Sequence, residues 1–226
     1  MFYVYRTNKS VSAEALTQAL QATRIGQPDV AGTPFKSGDV IVCWGARIGP
    51  VEEGVKTLNN APLLDKFSQI EVLTAARVPT VVARRELDEW IRRKDEHCDG
   101  NDLLHSDLGY FWVKREQIQC EYRIHSFNGV SIRAGVKVPD REDAHPWIRT
   151  YKGGWRIDCN MFRSTPGMRT IAHDAVKALR LEFGAVDIGE KENGELIVLE
   201  VNRSPGVENE NTMKAYASAI KEWEGA

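Results

Sequence analysis

The chain has 226 residues, enough for one large domain or two small ones with a real hydrophobic core. Its 30 basic residues against 32 acidic ones give a net charge of −2. This balance removes the usual reason to expect nonspecific nucleic-acid or membrane binding, and no apolar stretch approaches the roughly 20 residues that span a bilayer.

The N-terminus and the cysteines both predict a cytoplasmic protein. The opening MFYVYRTNKS lacks the basic-then-apolar order of a signal peptide, so we expect none. The four cysteines form no CxxC pair, which argues against a disulfide framework and against structural zinc: Cys43, Cys98, Cys120 and Cys159. We therefore expect reduced thiols.

Residues 1–58 are predicted to form a small α/β unit. Phe2–Arg6 has the composition of a strand, and Ser12 can cap a helix that carries its apolar residues on one face, at Leu16, Ala19 and Leu20. The glycines and prolines of 25–39 predict a loop. Val40–Trp44 then reads as a buried strand.

A second unit is predicted to begin near Asn59. Asp65 can cap a helix that ends at Val78-Pro79 and has an inner face of Phe67, Ile70, Leu73 and Ala76. Two strands are expected beyond it, Thr80–Ala83 and Tyr110–Lys114. The charged segment 86–107 between them is a candidate lid over a bound substrate.

The last half of the chain predicts two hairpins, each followed or preceded by a helix. Residues 121–138 form a hairpin around the turn signal Asn128-Gly129. An amphipathic helix is expected over 167–182. The strands FGAVDI and LIVLEV follow, joined at Asn193-Gly194, and the chain closes with a helix bearing Met213, Ala217 and Ile220. The overall pattern is α+β.

The final hairpin is predicted to place three oxygen-bearing side chains together. If Asn193-Gly194 is a two-residue turn, Asp187 lies opposite Glu200, and directly opposed residues point to the same face of a sheet. Asn202 shares that face because side chains alternate along a strand. The other face would be apolar, with Val186, Ile188, Ile197, Leu199 and Val201.

The chemistry of these side chains favours a hard divalent cation. Opposed carboxylates repel, so a positive charge is expected between them. Carboxylate and amide oxygens suit Mg²⁺ or Mn²⁺, and magnesium normally adds water and substrate phosphates, which makes a nucleotide its natural companion. The alternative is a solvated hairpin face whose carboxylates pair with nearby lysines.

The strings FGAVDIG and VLEVNRSPG resemble the last two strands and the following loop of ATP-grasp enzymes, the superfamily of D-alanine–D-alanine ligase, glutathione synthetase, tubulin tyrosine ligase and ribosomal-protein glutamate ligases. The resemblance implies an α+β ATP-grasp fold, in which two α+β lobes sandwich the nucleotide. The lobes would be 59–119, with the hinge, and 120–226, with the metal site, after a reduced N-terminal α/β unit. It also implies that Asp187, Glu200 and Asn202 bind two magnesium (or manganese) ions at the phosphates of ATP.

Two further segments resemble the nucleotide-binding parts of the first lobe. NNAPLLDKFSQIEVLTAARVPT corresponds to a helix opened by an Asp-Lys pair, which makes Lys66 a nucleotide contact. TVVARR resembles the strand that usually carries a phosphate-contacting lysine, where Arg84 stands nearest and Arg85 competes for the position.

The loop at 97–102 occupies the place of the family's glycine-rich phosphate loop. It has one glycine, Gly100, which departs from the family pattern. A catalytic pair of His97 and Cys98 is an alternative, although adjacent side chains rarely face each other.

YFWVKREQIQCEYRIH resembles the hinge and the next strand around adenine. The resemblance implies backbone hydrogen bonds from Trp112 and Val113 to the base and a ribose contact from Glu121. Lys137 and Arg149 are the basic residues expected near the phosphates.

Arg123 is expected to bind the substrate carboxylate or the reacting phosphoryl group. A two-residue turn at Asn128-Gly129 would put Lys137 and Arg123 on opposite faces. Either a bulge intervenes, therefore, or only one of these two residues reaches the site.

The implied activity is an ATP-dependent carboxylate–amine ligase that works through an acyl phosphate and releases ADP and phosphate. Its partners would be a small-molecule, peptide or protein carboxylate and an amine acceptor, with no nucleic acid and no membrane. The alternatives are an ATP-grasp-type kinase and a catalytically weak, nucleotide-binding regulatory domain.

Overall fold

The computed structural model describes residues 1–30, 32–84, 91–94, 110–114, 116–160, 162–206 and 209–223. The predicted loop at 97–102, with His97 and Cys98, lies outside these ranges, as do Arg85 and most of the predicted lid. Within them, no helix is long and apolar enough to cross a membrane.

The described chain contains twelve strands and five helices in an α+β arrangement. The strands are β1 Phe2–Tyr5, β2 Thr23–Ile25, β3 Val40–Cys43, β4 Lys56–Leu58, β5 Ala83–Arg84, β6 Ile91–Lys94, β7 Tyr110–Val113, β8 Ile118–Phe127, β9 Val130–Pro139, β10 Trp155–Asp158, β11 Phe183–Lys191 and β12 Leu196–Asn202. The helices are α1 Val11–Leu20, α2 Gln27–Val30, α3 Lys66–Ala75, α4 Pro166–Ala178 and α5 Glu210–Glu222.

The N-terminal unit is a parallel sheet in the order β2-β1-β3-β4. The predicted cap of α1 is wrong by two residues, because the Ser10 side chain accepts from the Ala13 backbone N–H and Ser12 lies inside the helix. Ser12 instead accepts a hydrogen bond from the buried indole of Trp44 at 3.0 Å. The predicted loop at 25–39 contains the short helix α2.

A small antiparallel sheet, in the order β5-β7-β6, follows α3. The predicted cap of α3 is confirmed, since Asp65 accepts from the Ser68 backbone N–H. The strand expected at Thr80–Ala83 is reduced to Ala83–Arg84, with Thr80 forming an isolated bridge to Val198.

The largest sheet is antiparallel, in the order β10-β9-β8-β11-β12, and α4 covers one of its faces. Thr165 caps α4, and Pro166 takes the first helical turn, where its missing N–H costs nothing. The helix ends at Ala178 rather than at the predicted residue 182, because Arg180 adopts a φ of 56° that a helix cannot continue.

The hairpin of β8 and β9 combines the predicted turn with a bulge. Asn128 and Gly129 have φ values of 44° and 83°, and Phe127 pairs with Val130. The register then shifts between Ser126 and His125, because one extra residue of β9 has no paired residue on β8. Beyond that bulge, Gly135 pairs with Arg123, so Lys137 lies on the same face as Arg123.

The hairpin of β11 and β12 differs from the prediction twice, and the two differences cancel. Its loop has three residues, since Lys191 and Glu195 are joined by a backbone hydrogen bond of 2.9 Å. A bulge at Leu199 then shifts the register between Ile188 and Asp187, which restores the pairing of Asp187 with Glu200.

Because of the same bulge, the apolar face of this hairpin contains other residues than those predicted. The face against α4 contains Val186, Ile188, Val198 and Val201. Ile197 and Leu199, which were expected there, pack instead with Phe111 and Val113 of the small sheet. One extra residue in a strand moves every side chain beyond it to the opposite face of the sheet.

The C-terminal helix α5 packs both on α1 of the N-terminal unit and on β9 of the large sheet. Met213, Tyr216, Ala217 and Ile220 share one core with Val4, Leu16, Val42 and Trp44. The predicted domain boundaries at residues 58 and 119 stay a prediction. The packing of α5 on α1 brings the two ends of the chain into contact.

A buried asparagine ties the N-terminal unit to the large sheet. The Asn59 Oδ1 accepts from the backbone N–H groups of Glu182 and Phe183 at 3.1 and 3.2 Å. The Asn59 backbone N–H donates to the Glu182 carboxylate, and Asn59 is fully buried with a φ of 65°. Asparagine tolerates this left-handed conformation better than most residues.

We expect Asn59→Ala to destabilise the protein by about 3 kcal/mol, because two N–H groups lose their acceptor in a buried site and the backbone becomes strained. Urea denaturation measures the change in the free energy of unfolding. Asn193→Ala is the matched control, since Asn193 Oδ1 also accepts a backbone N–H but in an exposed turn, and we expect it to cost less than about 1 kcal/mol. Equal costs for the two variants would contradict the structural role of Asn59.

Candidate functional site

A row of paired residues crosses the large sheet on the face away from α4. Gly135 of β9 pairs with Arg123 of β8, Arg123 with Asp187 of β11, and Asp187 with Glu200 of β12. Asn202 pairs with Ala185, which lies two residues from Asp187 on the same face. The three predicted oxygen donors therefore share one face of the sheet.

Asp187 is the most tightly held residue of this row. Arg123 contacts it with two nitrogens, Nε to Oδ1 at 2.6 Å and Nη2 to Oδ2 at 2.9 Å, and Lys137 Nζ lies 3.2 Å from Oδ2. Burial would raise the pKa of Asp187, but the charges of Arg123 and Lys137 outweigh burial and hold the pKa well below its usual value. The carboxylate is therefore ionised near neutral pH.

Glu121 is a second carboxylate on this face, beside Lys137, so positive and negative side chains alternate there. Lys137 Nζ donates to its carboxylate at 2.9 Å, and Arg149 Nε lies 3.8 Å from the other oxygen. Burial would lower the pKa of Lys137, but Asp187 and Glu121 reverse this effect and raise it. Arg149 is oriented by backbone carbonyls of Ile118 and Gln119 and by the Trp155 ring, 4.9 Å from its guanidinium carbon.

Two apolar contacts border the charged row on this face. On one side, Phe127 and Phe183 pack against Trp44 and Tyr216 of the N-terminal unit and α5. On the other, Ile197 and Leu199 pack against Phe111 and Val113 of the small sheet. The charged residues thus lie where three parts of the fold meet, which is the usual place for a ligand site.

The donor set on this face fits magnesium. In the described part of the chain, no group of three or more His, Cys, Asp or Glu residues is arranged to hold a metal. Asp187, Glu200 and Asn202 instead offer two carboxylates and one amide, which leaves positions for water and phosphate oxygens, as magnesium prefers. Arg123 and Lys137 hold the Asp187 oxygens in this structure and would have to share them with the ion.

The predicted residues of the first lobe occupy different environments. Lys66 is buried, at 7% exposure, in the first turn of α3, whereas Arg84 is exposed on β5. Trp112 and Val113 lie on β7, the central strand of the small sheet, where each is paired with a residue of β5 and a residue of β6. Their backbone contact with the base stays a prediction.

Arg203, which was not among the predicted site residues, positions the loop after Asn202. Its guanidinium donates to the backbone carbonyls of Asn59 at 2.7 Å, of Pro62 at 2.8 Å and of Ala61 at 3.1 Å. Burial lowers its pKa. The only sequence signal was its place in EVNRSPG, because an arginine after a polar strand is by default a surface residue.

Solved structures of very different sequence share this architecture. The ATP-grasp ligase PsnB, complexed with a minimal precursor, superimposes with a TM-score of 0.68 at 11% identity, over 97% of this chain and 98% of that one. The chain has the ATP-grasp fold. No protein-family model and no curated protein matches its sequence.

Two other ATP-grasp structures illustrate the range of these similar folds. The macrocyclase MdnC from Microcystis aeruginosa MRC, bound with precursor peptide MdnA, has a TM-score of 0.64 at 10% identity over 99% of this chain and all of that one. D-alanine–D-alanine ligase from Bacillus anthracis has a TM-score of 0.62 at 11% identity over 97% and 96% of the two chains. At such identities the likeness establishes the fold alone.

Proposed function

We propose that this ATP-grasp protein is an ATP- and magnesium-dependent ligase that joins a carboxylate to an amine. The observation that carries the proposal is the pairing of Asp187 with Glu200, with Asn202 on the same face, beside the two cations Arg123 and Lys137. Oxygen donors next to paired cations suit a metal-bound triphosphate.

The proposed reaction has two steps. An oxygen of the substrate carboxylate attacks the γ-phosphorus of ATP, and the bond to the β-phosphate oxygen breaks to release ADP. The amine nitrogen then attacks the acyl carbon, the carbon–oxygen bond to phosphate breaks, and the nitrogen loses a proton. Phosphorylation is needed because a free carboxylate is a poor acylating group.

The protein contributes charge and position rather than a covalent nucleophile. Asp187, Glu200 and Asn202 would hold magnesium, and the bound magnesium would neutralise charge on the phosphates. Arg123 and Lys137 lie on the same face, where they would stabilise the transferring phosphoryl group or orient the acid. Lys66 and Arg84 are proposed to contact the nucleotide from the first lobe, and Glu121 and Arg149 to border it from the second.

The substrates we propose are amino acids or peptides. Structures of this fold include ligases complexed with precursor peptides, a D-alanine–D-alanine ligase and a D-cycloserine synthetase. Peptides and D-alanine each carry a carboxylate and an amine. We therefore propose a peptide or small-molecule carboxylate and an amine acceptor of this class.

The proposal is tested by incubating the protein with Mg-ATP and pooled amino acids and peptides. We expect release of ADP and phosphate, products with the summed mass of two substrates less one water, and hydroxamates when hydroxylamine replaces the amine, because hydroxylamine traps an acyl phosphate. A phosphorylated product without free phosphate would instead indicate a kinase. Tight ATP binding with no turnover would indicate a regulatory domain.

A further inference from the structure

The N-terminal parallel sheet reverses its strand order at β1 and β3, whose carboxyl ends lie close to the loop after Asn202. The chain runs from β1 outward to β2 on one side and then to β3 on the other, so the strand order reverses between β1 and β3. Crevices at such reversals, at the carboxyl ends of parallel strands, are preferred ligand positions. Arg6 follows β1 there, and Trp44 and Gly45 follow β3.

Arg6 brings a positive charge to this edge of the sheet. Its Nη1 donates to the Trp44 backbone carbonyl at 2.9 Å. Its Nε is buried with no acceptor, and over the described ranges of the chain no carboxylate pairs with the guanidinium. Burial lowers the pKa of Arg6.

Ser204 meets Arg6 at this point from the far end of the chain. Gly45 has a φ of 68°, and a Cβ built on it would lie 2.3 Å from Arg6 Nη1 and 2.6 Å from Ser204 Oγ. Only glycine fits there without displacing them. Ser204 comes two residues after Asn202, so it also borders the proposed metal face. The residue is partly exposed, and its hydroxyl forms no hydrogen bond among the residues the structure describes.

We propose that Arg6 and Ser204 form a subsite for the free carboxylate of an amino acid or peptide substrate, a carboxylate other than the one that is activated. This inference rests on the proposed ligase function and assigns part of its substrate. One guanidinium and one hydroxyl match a monoanionic, planar carboxylate, whereas a phosphate dianion is usually met by more charge. The position next to Asn202 places the rest of the substrate toward the proposed reaction centre.

The test is equilibrium binding, in the presence of magnesium and a non-hydrolysable ATP analogue, of free amino acids and dipeptides and of their C-terminal amides. We expect the wild-type protein to bind at least one acid about tenfold or more tightly than its amide, because a charge-assisted contact is lost. In Arg6→Ala the acid and the amide should bind equally. Ser204→Ala should reduce the preference about threefold or more.

The controls separate loss of the subsite from loss of fold or of nucleotide binding. Arg24→Ala removes the same charge from an exposed position on β2 of the same sheet and should keep the full preference. Arg6→Ala must bind the ATP analogue normally. If it does not, the subsite is judged from the acid-over-amide preference of Ser204→Ala, which removes only a hydroxyl. No preference for acids in the wild type, or an unchanged preference in Ser204→Ala or in folded Arg6→Ala, overturns the subsite. Failure of the ligase proposal is seen separately, as no phosphate release with any substrate pair.

Discussion

Glu200→Gln is expected to reduce ATP turnover about 100-fold or more while leaving the fold intact. The substitution keeps the size of a side chain that is only partly buried on β12, but it removes a negative charge from the proposed metal site. A ligand without charge holds a divalent cation less tightly, so higher magnesium concentrations should be needed. Phosphate release at varied magnesium and saturating ATP, with thermal unfolding of both proteins, measures the effect.

Glu195→Gln is the matched control for this experiment. Glu195 lies in the same hairpin, at its exposed loop, where its carboxylate pairs with Lys191 at 3.3 Å, away from the charged row. The same chemical change there should leave turnover within about twofold, because surface ion pairs contribute little. If Glu200→Gln also retained wild-type turnover, the metal assignment would be wrong.

Asp187→Asn is expected to lower the free energy of unfolding by about 3 kcal/mol and to abolish most ATP turnover. Arg123 and Lys137, whose side chains are only 17% and 10% exposed, would keep their charges and lose the carboxylate that compensates them. Urea denaturation at neutral pH measures the stability. Asp143→Asn, which breaks an exposed pair with Arg141 at 3.6 Å, should cost less than about 1 kcal/mol.

The stability supplied by Asp187 should also depend on pH in a defined direction. Its pKa is below the usual value in the folded protein, so its contribution is present above the ordinary aspartate pKa of about 3.9 and is lost as the pH falls toward the folded value. The loss of stability below about pH 4 should therefore be shallower in Asp187→Asn than in the wild type. Parallel acid limbs in the two proteins would contradict the ion pairing seen here.

Two local signals in the sequence predicted the structure correctly, whereas the cap of α1 was predicted two residues too late, at Ser12 instead of Ser10. The Asp65 cap and the Asn128-Gly129 turn each depend on a few adjacent atoms, and both are confirmed. The pairing of Asp187 with Glu200 was also predicted, but from a two-residue loop that does not exist. A three-residue loop and a bulge together gave the same pairing.

Bulges explain most of what the sequence could not predict about the site. The bulge in β9 brings Lys137 to the face of Arg123, and the bulge at Leu199 moves Ile197 and Leu199 to the side of the small sheet. A bulge adds one residue to one strand without a unique sequence signature, yet it exchanges both faces beyond it. The contacts of Asn59 and Arg203 were equally hidden, because their partners are more than 100 residues away.

Asp187, Glu200 and Asn202 are proposed to hold a divalent cation against the phosphates of ATP. A crystal structure with Mn²⁺ and a non-hydrolysable ATP analogue tests it most directly, because manganese is located by its anomalous scattering. We predict a manganese peak within about 2.3 Å of carboxylate oxygens of both Asp187 and Glu200, with phosphate oxygens completing the shell. A nucleotide bound elsewhere, or manganese that contacts neither carboxylate, would contradict the account.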